Sequence, residues 1–410
     1  MNIESKASPR ILSINLGNFG STGGIMKGIS STAKASEYDT RMAYPGSCHN
    51  SPRQSGDYLI MSEFWKKVNE KLTYYTGFNG CFAVPATLRL LHHMKKIQPD
   101  ILHLHNLHNS YVNLPLLFGY VKRKNIPVVW TLHDCWPFTG QCPHFTMAGC
   151  GKWKTGCHDC STFHQYPASR MDRTKIMWAL KKKWFTGVEH MTLITPSQWL
   201  ADLVKQSFLK DYPVRVIHNG IDLSVFRPTD SHFRETHQIS DSQFVLLGVA
   251  FDWGKRKGLD VFLELARRLP ESYKIVLVGT NREIDCLLPE RVLSIHRTND
   301  QKELAQLYSA ADVFVNPTRE DNFPTTNIEA LACGTPVVTF RTGGSPEIPD
   351  EQCGSVVDCD DVDALEKEIV RICETHPYSR NACLRRAADF SNEARFQEYV
   401  QLFDTYVGKA

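Results

Sequence analysis

Four cysteines lie close together in the chain, at a spacing that suits metal binding. They fall within residues 135–160 and end on a Cys-x-x-Cys pair, as Cys142, Cys150, Cys157 and Cys160. Four thiolates at such a spacing can surround a zinc ion tetrahedrally, so the pattern favours a structural zinc site. Two other interpretations stay open, because the thiols can remain free or Cys157 and Cys160 alone can form a redox pair.

A second candidate site lies in the stretch NPTREDNFPTTNIEALACGTPVV, residues 316–338. Asp321 ends a loop, residues 322–325 lead into a predicted helix, and Glu329 lies inside that helix. The amino end of a helix presents N–H donors to a sugar or a phosphate, and a carboxylate can accept hydrogen bonds from vicinal hydroxyls such as those of a ribose. Capping of the helix is an alternative role for Asp321, but it does not account for Glu329.

Basic residues and glycines follow the first predicted strand of each half of the chain. Arg256 and Lys257 stand at the turn into a helix, where adjacent cations can neutralise a diphosphate leaving group; a solvated surface pair is the alternative. Gly23 and Gly24 open a predicted helix whose backbone N–H groups can meet an anion. A tight turn without a ligand explains these glycines equally well, and their spacing excludes the G-x-G-x-x-G fingerprint.

His133 stands at the carboxyl end of a predicted strand, in the segment WTLHDC, residues 130–135. Ligands of doubly wound sheets bind outside the carboxyl ends of the strands, so the imidazole is expected to face a binding site. A single histidine is usually a satisfied polar group. Its position in a loop beside the cysteine cluster favours a functional role.

Short apolar runs alternate with helical patterns, and the series restarts after residue 220. Near-continuous apolar strands separated by helices predict parallel sheets covered on both faces. The sequence therefore predicts an α/β protein of two doubly wound, Rossmann-like domains facing across a cleft, with one long C-terminal helix, 381–406, that crosses back to the first domain. The predicted strands are 11–16, 100–105, 127–133, 192–195, 244–251, 274–279, 313–317 and 336–340, and the predicted domains are 1–215, 216–385 and 386–410.

Composition and charge limit the classes of partner. A formal net charge of +3 over 410 residues gives no reason to expect a nucleic-acid partner. No apolar stretch reaches the ~18 residues that span a bilayer, and the polar start MNIESKASPR is unlike a signal peptide, so a cytoplasmic location is expected. The segment 175–185, which includes Lys181–Lys183, is basic and aromatic. It is expected either to lie on anionic lipid at the inner face of a membrane or to pack as a core helix with a lysine face. In the first case, residues 65–67 would extend the lipid-binding surface.

Several motifs, in the same order, resemble those of the retaining glycosyltransferases of family 4, which have the GT-B fold. EALACGTPVV (329–338) is similar to the end of their E-x7-E region, VIHNGIDLSVFRP (216–228) to their interdomain segment, and TGGSPEI (342–348) to their G-G-x-P-E loop. LHLHNLHNSYVN (102–113) and TLHDCWPFTG (131–140), together with the cysteines, further resemble bacterial transferases of the colanic-acid or exopolysaccharide type. The resemblance covers nearly the whole chain.

The resemblance implies a role for each candidate residue. Glu329 would bind the ribose of a nucleotide, and His133 would contact the donor sugar near its reacting carbon. The departing diphosphate would be stabilised by Arg256 and Lys257, helped by Gly23 and Gly24. The donor sugar would be held by Asp321 together with the segment of Asn322, Phe323, Pro324 and Thr325.

Two positions depart from the family pattern. Asp321 stands where the family has its first glutamate, and Asp252 stands near the usual arginine, whose charge Arg256 would then supply. Because cations would serve the diphosphate, the resemblance implies no catalytic metal, and the predicted zinc is structural.

The chain is therefore expected to be a retaining glycosyltransferase, hexosyltransferase-like and of class EC 2.4, that acts in polysaccharide biosynthesis. It would move a sugar from a nucleotide-diphosphate sugar, bound by the second domain, to a glycan or lipid-linked saccharide acceptor on the side of the first. Two alternatives remain. One is a catalytically silent, zinc-stabilised carbohydrate-binding or scaffold protein, and the other is a GT-B nucleotide-sugar epimerase or phosphorylase.

Overall fold

The computed structural model describes residues 8–409, and these form two compact units, each built on one parallel sheet. The first unit runs to Ile217 and takes in the chain again from Arg395, and the second unit spans His218–Ala394. The first seven residues of the polar N-terminal segment, used above to argue against a signal peptide, lie outside the described residues.

The first unit contains a seven-stranded sheet in the order β3-β2-β1-β4-β5-β6-β7. Its strands are β1 (Arg10–Ile14), β2 (Asp39–Tyr44), β3 (Tyr58–Leu59), β4 (Ile101–Leu104), β5 (Val128–Thr131), β6 (Met191–Thr195) and β7 (Val214–Val216). The helices that connect them are α1 (Gly20–Ala35), α2 (Glu63–Thr76), α3 (Val84–Ile97), α4 (Leu114–Lys124), α5 (Thr174–Phe185) and α6 (Gln198–Val204). The chain reverses its direction of travel across the sheet between β1 and β4, so the loops after these two neighbours part and leave a crevice.

The second unit contains a six-stranded sheet in the order β10-β9-β8-β11-β12-β13. Its strands are β8 (Phe244–Val249), β9 (Tyr273–Val278), β10 (Leu293–Ile295), β11 (Val313–Asn316), β12 (Val337–Phe340) and β13 (Gly354–Val357). Its helices are α7 (Phe233–Thr236), α8 (Leu259–Arg268), α9 (Arg282–Asp285), α10 (Gln301–Ala310), α11 (Thr325–Ala332), α12 (Val362–Thr375) and α13 (Arg380–Ala388), and the last helix, α14 (Asn392–Val407), continues into the first unit. The reversal in this sheet falls between β8 and β11.

Each long apolar run of the sequence forms a buried strand, as predicted. The central strands β4, β5, β6, β11 and β12 are buried along their whole length, which explains why their sequences are apolar without alternation. Five further strands were not predicted, namely β2, β3, β7, β10 and β13. Three of these, β3, β7 and β10, are edge strands of two or three partly exposed residues, and they offer no apolar run to detect.

The prediction of a single helix over 381–406 is wrong in one respect, because the chain leaves the helix between α13 and α14. Ile221 is the cause: its backbone N–H donates to Phe390 O at 2.9 Å, and its carbonyl accepts from Asn392 N–H at 2.9 Å. This short bridge to a residue far away in sequence replaces helical hydrogen bonds.

Helix α14 packs on the first unit, as predicted for the C-terminal helix. Its buried side chains join a cluster that includes Ile11 of β1 and both Ile25 and Ile29 of α1. The buried residues of the helix are Phe396, Tyr399, Val400, Leu402 and Phe403. Within residues 8–409, every helix is too short or too polar to cross a membrane.

Candidate functional site

The loops that follow β8 and β11 meet at the reversal point of the second sheet. A single turn of 3-10 helix, Lys255–Lys257, carries both predicted cations. The carbonyl of Arg256 accepts from Arg319 N–H at 2.9 Å, and Arg256 Nη1 donates to the carbonyl of Glu320 at 3.3 Å. The cationic turn is therefore fastened to the loop that contains Asp321.

Lys257 and Asp321 form an ion pair, with Nζ 2.6 Å from Oδ2. Their side chains are only 19% and 21% exposed, so the pair is screened less than a surface salt bridge. Both residues were predicted to belong to one site, and in the structure they are in direct contact. Because an ammonium has three N–H donors, Lys257 can hold Asp321 and still donate to a phosphate oxygen.

Two glycines allow the backbone segments of this site to approach each other. Gly258 has φ +75°, and a Cβ atom there would collide with the carbonyl oxygen of Pro317. Gly343 has φ +54°, and a Cβ atom would collide with the carbonyl oxygen of Asp321. Any other residue would combine an unfavourable backbone conformation with a steric clash, so both turns depend on glycine.

Residues 322–325 form the entrance to α11, as predicted. Asp321 Oδ1 accepts from Phe323 N–H at 3.2 Å, and the Phe323 ring stacks on the His218 ring at a centroid distance of 4.8 Å. Asn322, Phe323 and Pro324 are buried, whereas Thr325 is partly exposed. Pro324 is the N-cap residue, and proline has no polar side chain to satisfy the first N–H groups of the helix, which suits them to an external acceptor.

Glu329 lies on α11 with its carboxyl held by two hydroxyls. Tyr308 donates its OH to Glu329 Oε2 at 3.0 Å, and the Thr325 hydroxyl is the second partner. Burial raises the pKa of Glu329 to about 7, and the two hydrogen bonds oppose this rise. The carboxyl is therefore poised between its neutral and ionised forms near neutral pH.

Arg319 was missed by the sequence analysis, although it connects three parts of this site. Its side chain is 9% exposed, and it makes two hydrogen bonds to Asp260 of α8, at 2.8 and 2.9 Å. It also binds Asp360 at 2.7 Å and the carbonyl of Lys255. The residue stands beside Glu320 and Asp321 in the sequence, but its partners are distant along the chain, so no local pattern reveals them.

In the first unit, helix α1 begins at Gly20, three residues earlier than predicted. Gly23 and Gly24 therefore do not open the helix but follow its first residues. A Cβ atom at Gly23 would lie 2.7 Å from the carbonyl carbon of Asn18, so the turn requires this glycine, whereas a Cβ atom at Gly24 would meet open space. The free N–H groups of the helix end belong mainly to residues 20–23.

Strand β5 ends at Thr131, and His133 lies two residues later, at the carboxyl end of the strand, as predicted. Its Nε2 lies 3.0 Å from Nδ1 of His105, which follows β4, and β4 pairs with β5. Burial lowers the pKa of His133 to about 4, so the imidazole is neutral at physiological pH. His105 was not among the predicted site residues, although the histidines of LHLHNLH at the end of β4 were a visible signal.

The four clustered cysteines line one cavity of about 210 Å³, which lies in the first unit. All are free thiols, and Cys157 Sγ accepts from Gly140 N–H at 3.1 Å. Within residues 8–409, however, no three cysteine, histidine or acidic side chains stand in a metal-holding arrangement, so the zinc site remains a prediction. Burial raises the pKa of Cys157 to about 11, which argues against Cys157 itself as a reactive thiolate.

The lysine face of α5 is not wholly available to a membrane, which corrects the prediction for Lys181–Lys183. Lys181 is completely buried; its Nζ donates to the carbonyls of Trp136 and Thr139, the latter at 2.9 Å, and lies 3.6 Å from the centre of the Trp136 ring. Of these three lysines, Lys182 and Lys183 are exposed, and so is Lys175 at the start of the helix. Helix α5 is thus a core-packing helix, the alternative given above.

Both units match known protein families. Residues 242–375 match the family described as Glycosyl transferases group 1, and residues 62–225 match the family described as Glycosyltransferase Family 4. The match to Glycosyl transferases group 1 covers most of the second unit. The match to Glycosyltransferase Family 4 covers most of the first unit.

Individual relatives agree with these matches. The chain is 28% identical over 322 residues to WcaC of Escherichia coli (strain K12), across 74% of this chain and 76% of that protein, whose own assignment as a colanic acid biosynthesis glycosyl transferase is provisional. Sucrose-phosphate synthase from Thermosynechococcus elongatus has a similar structure, with a TM-score of 0.73, 19% identity, and coverage of 98% of this chain and 100% of that one. Alr3699/HepE of Anabaena, in complex with UDP-glucose, gives a TM-score of 0.67 at 14% identity, over 97% and 99% of the two chains.

Replacing Glu329 by glutamine should remove a pH dependence of stability. Because the folded-state pKa of about 7 lies above the ordinary value of 4.5, the wild-type chain loses stability as pH rises from about 4.5 through 7. Over this range the Glu329 carboxyl is ionised in the unfolded chain but still protonated in the folded one, which favours unfolding. Glutamine cannot ionise, so the variant lacks this effect. Urea unfolding at pH 5, 6, 7 and 8 should therefore show Glu329→Gln gaining on the wild type as pH rises. Exposed Glu283, replaced in the same way, is the control, and equal pH profiles for both variants would contradict the assignment.

Proposed function

We propose that the chain, in which residues 242–375 and 62–225 match glycosyltransferase families, is a family 4 glycosyltransferase of the GT-B fold that transfers a sugar from a nucleotide-diphosphate sugar to a glycan or lipid-linked saccharide, with retention of the anomeric configuration. The observation that carries the donor assignment is the cluster of Arg256, Lys257 and Asp321 at the reversal point of the second sheet, next to the entrance of α11, the helix that contains Glu329. Such a cluster offers cations, helix N–H groups and a carboxyl within one loop system.

The parts of the donor match the chemistry of these residues. Arg256 and Lys257 are assigned to the diphosphate, which gains negative charge as it departs. The Glu329 carboxyl is assigned to the ribose hydroxyls, which it can bind as an acceptor in its ionised form. Anabaena HepE, which has the same fold, is in complex with UDP-glucose, and this supports a nucleotide sugar as the donor class.

The sugar ring is assigned to Asp321, the loop 322–325 and, from the first unit, His133. Asp321 is held by Lys257 and by Phe323 N–H, so its carboxylate has a fixed direction. A reacting sugar develops positive charge at its anomeric carbon, and an oriented carboxylate and a neutral imidazole are both compatible with that charge. In the front-face reaction proposed here, the acceptor oxygen bonds to the anomeric carbon on the face from which the diphosphate leaves, the bond from that carbon to the diphosphate oxygen breaks, and the departing diphosphate takes up the hydroxyl proton.

The acceptor is proposed to be a saccharide of a polysaccharide-assembly system. The likeness to WcaC, provisionally assigned to colanic acid biosynthesis, supports this choice. Two alternatives remain testable. A silent carbohydrate-binding or scaffold protein would bind a nucleotide or a glycan without turnover, and an epimerase or a phosphorylase would form its product without transfer from a nucleotide sugar to an acceptor.

Donor binding is tested first by thermal melting with UDP, GDP, TDP, ADP and CDP. A ligand present at about 100 times its dissociation constant adds about 2.7 kcal/mol to the folded state, so binding raises the melting temperature measurably. We expect a shift with one nucleotide, its loss in Glu329→Ala and its retention in the exposed control Glu283→Ala. The matching sugar nucleotide and acceptor should then give a product with a retained anomeric linkage by NMR. No shift with any of the five nucleotides would favour the binding-protein alternative.

A structural zinc ion is proposed for Cys142, Cys150, Cys157 and Cys160, since all four line one cavity. The thiols would have to reorient to coordinate it, because their present arrangement is not a metal-holding one within residues 8–409. Protein purified without chelator should contain about one zinc ion per chain. Cys150→Ser should lose that zinc and melt at a lower temperature, while exposed Cys286→Ser should change neither value. Zinc-free protein, with Cys150→Ser melting as the wild type does, would refute the site.

Peripheral contact with an anionic membrane is proposed for helix α2 instead of α5. Phe64 and Trp65 are 68% and 58% exposed, Leu72 and Tyr75 are also exposed, and Lys67 and Lys71 lie among them. Exposed aromatic residues and lysines on one helix suit the interface of an anionic bilayer. The chain should float with anionic vesicles at low salt, and a Phe64→Ser, Trp65→Ser double variant should not. Exposed Leu287→Ser is the control; flotation by the double variant would exclude this surface.

A further inference from the structure

His105 and His133 form a direct imidazole pair at the ends of two neighbouring strands. His105 Nδ1 lies 3.0 Å from His133 Nε2. The two ring planes are nearly parallel, with an angle of 12° between them and 5.3 Å between their centroids. His105 is 1% exposed, whereas His133 is partly exposed. The pair therefore extends from the interior of the first unit to its surface.

Both imidazoles are neutral at physiological pH. Burial lowers the pKa of His105 well below its ordinary value, and the neighbouring His103 and His133 lower it further. The pKa of His133 is lowered to about 4, although Asp134 opposes the shift. A neutral imidazole carries one proton, so one ring must donate across the 3.0 Å contact and the other must accept.

The second nitrogen of His105 decides the direction of this hydrogen bond. His105 Nε2 is buried and has no hydrogen-bond partner in residues 8–409. If His133 donated, His105 would keep its own proton on Nε2, as an orphaned buried N–H group, which is a rare arrangement in folded proteins. If His105 donates from Nδ1, only a lone pair remains without a partner.

The surroundings of His105 hold its ring in place. The backbone N–H of His105 donates to the carbonyl of Ile14 at 2.9 Å, and the backbone carbonyl of His105 accepts from Trp130 Nε1 at 3.0 Å. Strands β1 and β5 therefore fix the backbone of His105. The ring of His103 lies 4.2 Å away, and His103 is itself held by Thr131 at 3.0 Å. Thr131 in turn donates to the hydroxyl of Tyr399 on α14 at 3.3 Å. Polar contacts from β5 and α14 thus support the histidine pair.

We propose that His105 is a positioning residue, which donates its Nδ1 proton to His133 Nε2 and so holds His133 as the neutral tautomer with its proton on Nδ1. His133 then offers an N–H donor of fixed direction at the carboxyl end of β5. The effect on sugar transfer rests on the proposed function, but the tautomer does not. His105 itself touches no substrate in this proposal.

The tautomer is measured by 15N NMR on the full chain labelled at histidine, with His133→Gln used to assign the signals. At pH 7 the wild type should show His133 protonated on Nδ1. His105→Leu should lose this preference, whereas His105→Asn, whose Nδ2 replaces the Nδ1 donor, should keep it. Exposed His190→Asn is the control and should leave the His133 signals unchanged. A wild-type His133 that is cationic, or protonated on Nε2, overturns the proposal even if no variant folds.

Kinetics separate a positioning role from a purely structural one. With a nucleotide sugar accepted by the wild type, kcat of His105→Leu should fall roughly 10- to 100-fold, the usual cost of losing an orienting partner, while KM for the donor stays unchanged. His105→Asn should recover most of that loss. Unchanged kcat in a folded His105→Leu variant contradicts the proposal. If the wild type transfers no sugar, the proposed function fails, and the NMR result still decides the tautomer.

Discussion

The pairing of β8 with β11 is the constraint on which the proposed donor site depends. These strands are neighbours in the sheet although more than sixty residues separate them, and Leu246 pairs with Val313 in parallel register. Because the two loops that follow them leave the sheet at the same edge, the cationic turn and the acidic loop meet without any long excursion of the chain. Gly258 and Gly343 then allow backbone contacts that a Cβ atom would prevent. Backbone geometry brings Lys257 and Asp321 close enough for their ion pair to form.

Charge in this site is balanced by partners that come from separate elements. Arg319 is paired with Asp260 and Asp360, and Lys257 is paired with Asp321, so each largely buried cation has a carboxylate partner. A buried charge without a partner is costly, whereas a paired one can be held in a fixed direction. The second unit can therefore hold several cations close together, at the place proposed for a diphosphate, without a large penalty to folding. The network also ties the turn Lys255–Lys257 to the loop before α11, since Arg319 binds the carbonyl of Lys255 and Lys257 binds Asp321.

The sequence predicted those features that depend on local composition. Buried parallel strands are recognisable as apolar runs, and Asp321, Glu329, Arg256 and Lys257 became candidates because each follows such a run or lies in a familiar motif. Features that depend on distant partners could not be predicted. The break between α13 and α14 follows from hydrogen bonds to Ile221, and the fixed position of Arg319 follows from carboxylates on α8 and after β13. The burial of Lys181 reflects carbonyls more than forty residues earlier, so its helix pattern alone suggested a lysine face.

The two units prepare their site residues in opposite ways, and the proposed reaction gives a reason. The second unit gathers paired cations near the position assigned to the diphosphate, which gains negative charge. The first unit keeps His103, His105 and His133 neutral by burial. A protonated histidine beside an anomeric carbon would repel the positive charge that develops there, whereas a neutral imidazole can donate a hydrogen bond without adding charge. Burial that keeps these three histidines neutral is therefore compatible with the role proposed for His133 beside the donor sugar.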